Sequence, residues 1–137
     1  MKREDYEHYA CGMYLAGTLA FLEGRYGSKP WKASGRGISL DEFLAERDDK
    51  RKEPLQIAGV CVAGLDALVC IRNAVTHNDG DLSKNIDSQS LSKVSAAALP
   101  GVQIVGNSVR LSSGYSVDFM KYVRESFVAV SMLHGGL

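Results

Sequence analysis

Residues 68–79, Leu-Val-Cys-Ile-Arg-Asn-Ala-Val-Thr-His-Asn-Asp, end an apolar helical run in Arg72 and Asn73 and follow it with His77 and Asn78. A fixed cation, an amide and an imidazole thus fall within a few residues of one another. A packed helix gains nothing from finishing this way. The three side chains are a workable set for holding and cutting a phosphodiester. RNA carries its own nucleophile, the 2′-hydroxyl, so cleavage needs no metal once a base removes that proton. In such a reaction His77 would serve as general base or acid. Arg72 would offer a planar fork of donors to the phosphate oxygens as charge builds, and Asn73 would orient the phosphate or the imidazole. The products would be a 2′,3′-cyclic phosphate and a 5′-hydroxyl.

Helical geometry supports a shared site. Asp66, Cys70, Asn73 and His77 are spaced four, three and four apart, which puts them on one stripe of a helix. Arg72 lies about 100° round from Asn73, and its long side chain can swing to the stripe's edge. Asn78 and Asp66 are weaker candidates for contact with substrate. Asp66 reads first as an ion-paired or solvent-reaching residue, and otherwise as a carboxylate steadying His77 or Arg72 from a neighbouring subunit. Spacing alone does not single the site out. Eight arginines and three histidines give a chance expectation of roughly 0.2 such pairs, and Arg3 to His8 repeats the spacing at a polar terminus that reads as free to fray. The plainer reading of Arg72 and His77 is a pair of cations favoured by the dipole at a helix C-terminus. Asn73 beside Arg72, taken together with the family resemblance of this stretch, tips the balance toward function. His8 and His134 read as terminal surface residues, and Trp31 as a loop aromatic covering one end of the fold.

Several elements must position that helix end. Residues 5–24 repeat apolar side chains at helical spacing (Tyr6, Tyr9/Ala10, Met13, Gly17, Ala20/Phe21), with Gly12, Ala16, Gly17 and Ala20 keeping part of the surface thin. Residues 24–37 read as a connecting loop. Ser39 opens a second helix with a capping box that ends in Glu42, and the charged run 46–53 reads as its solvated end. Pro54 opens a third helix, running to Thr76 or His77, that is apolar or small on most sides and is therefore central. Residues 78–81 end it with turn chemistry, and the serine-rich residues 83–95 read as an exposed loop. Val102, Ile104, Val109 and Leu111 alternate about Gly106-Asn107, as a hairpin requires. Residues 116–134 form a last helix capped by Ser116 or Asp118, with a stripe of Phe119, Met120, Val123, Phe127, Val130 and Leu133. The expected fold is all-α: a four-helix bundle with a small inserted β-hairpin, in one domain over residues 1–137.

Composition narrows the chemistry. The chain has 137 residues, 45% of them apolar, and a formal net charge of zero. That is enough for one core, but there is no general field to recruit nucleic acid, so RNA would have to be caught locally in a cleft. Cys11, Cys61 and Cys70 sit among apolar residues without a CxxC pair, and read as core fillers in a reducing compartment rather than bridges or metal ligands. The acids among the first seven residues argue against a signal peptide. Residues 54–71, interrupted by Asp66, are short for a membrane span. A cytoplasmic protein without cofactor, metal, membrane or DNA partner is expected.

Arg72-Asn73-Ala74-Val75-Thr76-His77, at the end of a buried helix and followed by Asn78 and a turn, resembles the signature of HEPN domains. In that family an Arg, usually followed by a polar residue, precedes a His by a few positions. The resemblance implies a helical bundle that dimerises so that two copies of the motif face one another in a cleft. It also implies a metal-independent endoribonuclease, often a toxin or anti-phage abortive-infection protein, for which a cognate antitoxin is a possible partner. By position, catalysis falls to Arg72 and His77, with Asn73 as the polar residue. The small residues Ala63, Gly64, Ala67 and Ala74 are expected to let a partner's helix approach. The inserted hairpin and the acidic Asp79 and Asp81 depart from the pattern. The alternative reading is a non-catalytic bundle of the same shape that binds RNA, a nucleotide or a protein through the same cleft.

Overall fold

The structure is a computed structural model that describes residues 2–26, 62–112 and 118–133. In chain order it contains α1 (Arg3–Tyr26), α2 (Val62–His77), a 3-10 turn (Leu82–Lys84), α3 (Ser90–Ala97), β1 (Val102–Val105), β2 (Ser108–Leu111) and α4 (Phe119–Leu133). The chain is mainly helical with one two-stranded antiparallel sheet. The expected Ser39 helix, the charged run 46–53, the Pro54 helix start, Trp31, Cys61, Ser116 and His134 all lie outside the described residues.

Helix α2 is the centre of the core, as its composition requires. Leu65, Ala67, Leu68, Val69, Cys70, Ile71 and Ala74 are all buried, so almost every side of its middle turns meets protein. Its end is closed by backbone geometry. The Gly80 amide donates to the Ala74 carbonyl at 2.9 Å, while Asp79 (φ 52°) and Gly80 (φ 85°) take left-handed conformations, a Schellman-like stop.

Helix α1 corrects the sequence reading. It carries two apolar stripes, and the expected one faces solvent: Tyr6, Tyr9, Met13 and Phe21 are each at least half exposed. The inward stripe is His8, Cys11, Leu15, Leu19 and Leu22. Both stripes satisfy the helical period, so periodicity could not choose between them. Packing chose. A Cβ at Gly12 would come within 2.9 Å of Val75 Cγ1, so the glycine lets α1 lie close against α2. Gly17 meets nothing within 4 Å.

The stretch read as an exposed serine-rich loop is structured instead. Leu82, Ser90 and Val94 are buried, and α3 packs on α2. Its serines are poor helix formers, but tertiary contacts override so weak a preference. The Ser90 hydroxyl donates to the Asp87 carbonyl at 2.8 Å and accepts from Asn85 Nδ2 at 3.0 Å, so a buried polar group is satisfied in place.

The hairpin forms in the expected register, Val102 opposite Leu111 and Ile104 opposite Val109. Gly106 takes φ 64° at the first turn position, as a type II′ turn demands. The sheet is stitched to the segment after α2: Leu82 donates to the Asn107 carbonyl at 2.8 Å, and Val109 to the Gly80 carbonyl at 2.9 Å. Helix α4 starts where Asp118 Oδ1 accepts the Lys121 amide at 2.6 Å, an N-cap bond. It buries Phe119, Tyr122, Val123 and Val130.

His8 is not a surface residue. It is 6% exposed, and its Nδ1 accepts the Leu111 amide at 3.2 Å, joining α1 to β2. Of the small-residue patch of α2, only Ala63 stays exposed. Ala67 and Ala74 are fully buried, and a Cβ at Gly64 would overlap the Tyr122 hydroxyl. Those positions serve packing within the chain. Among the described residues no helix is long and apolar enough to cross a membrane.

Candidate functional site

The stripe Asp66, Cys70, Asn73, His77 faces the serine-rich segment that follows the turn. Asp66 pairs with Lys93 of α3 at 3.1 Å. The Cys70 carbonyl accepts Asn85 Nδ2 at 2.9 Å. Beyond these, Asn73, His77 and Asn78 join Lys84, Asn85, Ile86 and Asp87 around an open groove of about 560 Å³. That volume falls in the range of small-ligand sites, roughly 300–1,000 Å³. Asn73 and His77 stand one helical turn apart, so α2 presents both to the groove together.

Arg72 does not line it. Its Nη1 donates to Glu23 Oε1 of α1, and its Nε to Asn73 Oδ1 at 2.9 Å. The ion pair is largely sequestered, with the two side chains 18% and 24% exposed. The guanidinium is therefore neutralised across the α1–α2 contact and reaches the groove only through the Asn73 amide. This Asn73 contact leaves the amide's Nδ2 as its donor toward a ligand.

The other expected residues divide. His77 is exposed and lines the groove. Asn78 also lines it, and its amide donates to Asn85 Oδ1 at 2.9 Å. Asp66 is not brought to the groove. Asp79 and Asp81, the acids that depart from the family pattern, lie outside the lining as well. Asp79 sits exposed in the turn, and Asp81 caps the 3-10 turn by accepting from the Ser83 hydroxyl and amide. The Ser83 hydroxyl bond keeps the Asp81 carboxyl below its ordinary range.

Four lining residues were missed: Lys84, Asn85, Ile86 and Asp87. A usable signal was the helical spacing of Leu91, Val94 and Ala97, which continues out of the serine-rich stretch. Asp87 brings an ionised carboxylate to the groove, offset in part by Lys93, which it shares with Asp66. Its Oδ2 accepts from Lys93 at 2.7 Å and its Oδ1 from the Gln89 amide at 2.9 Å, and these bonds hold the carboxyl below its usual range. The same contact with Asp87 raises the Lys93 ammonium above its ordinary value. Lys84 has no carboxylate within ion-pair distance among the described residues.

An imidazole, three amides, the Lys84 ammonium and the Lys93-paired carboxylate of Asp87 surround an open groove, a set that can hold a hydrogen-bonding ligand with a phosphate at Lys84 and move one proton. Among the described residues no three His, Cys, Asp or Glu side chains cluster as a metal site requires. The Cys11 thiol is buried among apolar neighbours, and burial pushes it up to about 11. Burial also raises Cys70. Neither is poised as a nucleophile. Comparison with protein-family models, with curated proteins and with solved structures found no match to this chain.

Proposed function

We propose that this chain is a metal-independent endoribonuclease of the HEPN type, a four-helix bundle acting as a homodimer in the cytoplasm, in toxin or anti-phage defence. The observation that supports this reading is the shared groove: Asn73 and His77, chosen for their chemistry, line one open space of nucleotide size. His77 takes the proton of a ribose 2′-hydroxyl, the 2′-oxygen bonds to phosphorus, and the P–O5′ bond breaks. A proton returned to the departing 5′-oxygen, from the second copy's motif in the expected cleft, completes a 2′,3′-cyclic phosphate and a 5′-hydroxyl. Asn73 donates to a phosphate oxygen, and Arg72 sets that amide.

The test is cleavage of single-stranded RNA in excess EDTA. Wild type should produce cyclic-phosphate ends, and His77→Ala should lose at least about a hundredfold in rate with an unchanged far-ultraviolet spectrum. An equally active His77→Ala protein would overturn the mechanism.

One observation favours the second reading, a non-catalytic bundle that binds RNA, a nucleotide or a protein. Arg72, the cation expected at the phosphate, is engaged by Glu23. On that reading the groove retains RNA and no cyclic phosphate forms at any protein concentration.

A further inference from the structure

We propose that Lys84 is the residue that grips the substrate phosphate in this groove, and that Arg72 is a strut which positions Asn73. The inference rests on the reading of the groove as an RNA site and assigns its charge contact, which the motif alone gives to Arg72.

Three observations lead there. Lys84 is the cation that lines the groove with His77. Among the described residues no carboxylate lies within ion-pair distance of it, although Asp81 feels its charge and Asp87 shares the lining. Arg72 has its charge met by Glu23 at a largely sequestered contact and is absent from the lining. Drawing it out would leave the Glu23 carboxylate without its partner, a cost that Lys84 does not carry.

The Lys84 backbone is also held in place. Its amide donates to the Asp81 carbonyl at 3.3 Å. The next residue, Asn85, ties the segment to α2 through the Cys70 carbonyl and to Asn78. The ammonium and His77 are thus carried by one braced unit, which favours binding by reducing the ordering it requires. Beyond Lys84, Ile86 is fully solvated at 106% relative exposure. Its side chain does nothing for the core and offers a base an apolar surface at the groove's rim.

The experiment is fluorescence anisotropy with a labelled oligouridylate carrying 2′-O-methyl riboses, which the mechanism cannot cut, at several salt concentrations. Lys84→Met should weaken binding about tenfold and make the log–log salt slope shallower by about 0.7, the value for one lost phosphate contact on a single strand. Lys84→Arg should restore both. Lys121→Met, which removes an exposed charge from α4, should change neither. Lys84→Gln gives a second neutral variant should the methionine alter folding, with matching melting curves as the check. If wild type binds while Lys84→Met and Lys84→Gln keep its affinity and slope, the phosphate role of Lys84 is overturned and the RNA site stands. A wild-type protein that neither binds this oligonucleotide nor cuts RNA overturns both.

Discussion

At the scale of single residues, His8 shows how a burial event becomes a pH dependence. Its Nδ1 must be unprotonated to accept the Leu111 amide. Burial, then repulsion from Arg110, lowers its pKa from the ordinary 6.5, against smaller opposing effects of Asp5 and Asp79. The unfolded chain therefore takes up the proton first. Stability from this group is complete above about pH 6.5 and declines as pH falls below it, by at most about 1.4 kcal/mol per pH unit. Melting temperature should drop on acidification through this window. His8→Asn, whose amide oxygen can still accept from Leu111, should flatten that drop. An unchanged slope would show that His8 does not govern it. The Arg72–Glu23 pair makes a second residue-scale prediction. Arg72→Ala leaves a poorly solvated carboxylate and should cost about 2 kcal/mol in urea unfolding. Glu23→Gln, which can still accept from Arg72, should cost less. Lost activity in Arg72→Ala must therefore be read beside its melting curve before it is called catalytic.

Between elements, close approach decides more than side-chain chemistry does. Gly64 brings α2 under Tyr122 of α4. Gly64→Ala should destabilise the fold by about 1–3 kcal/mol through overpacking. Combining it with Tyr122→Phe should cost less than the two single changes added together, because the overlapping hydroxyl is gone. Strict additivity would place the clash elsewhere. The α2–α3 contact depends on Asn85, whose amide meets Cys70, Ser90 and Asn78. Asn85→Ala should lower stability by about 2 kcal/mol and loosen the groove wall. These elements were only partly legible. The hairpin could be read from its alternation and Gly106-Asn107, and α4 from its stripe and cap. Segment 82–97 was harder: Leu91, Val94 and Ala97 keep a helical spacing, but Ser90 is buried only because Asn85, bonded to the Cys70 carbonyl of α2, satisfies its hydroxyl.

For the whole molecule, zero net charge removes long-range attraction for RNA. Salt should act through the few phosphates held in the groove, giving a shallow binding slope of about −1 to −2. A strongly basic binder would give a much steeper one. The proposed shared cleft makes activity a property of two chains. Cleavage per chain should fall on dilution as light scattering reports loss of the dimer. Constant specific activity in a demonstrated monomer would remove the second copy from the mechanism.

The sequence by itself determined what is local. It placed Asn73 and His77 on one helix face, marked the turn that follows them, and set the hairpin register, because each depends on neighbours a few residues away. Only the tertiary structure decided which apolar stripe of α1 turns inward. It alone paired Arg72 with Glu23, 49 residues distant, sank His8 against Leu111, 103 residues distant, and brought Lys84 into the groove with His77. The reason is physical: both stripes of α1 obey the same period, and a charge finds its partner through the packing of distant elements, which leaves no trace in local spacing.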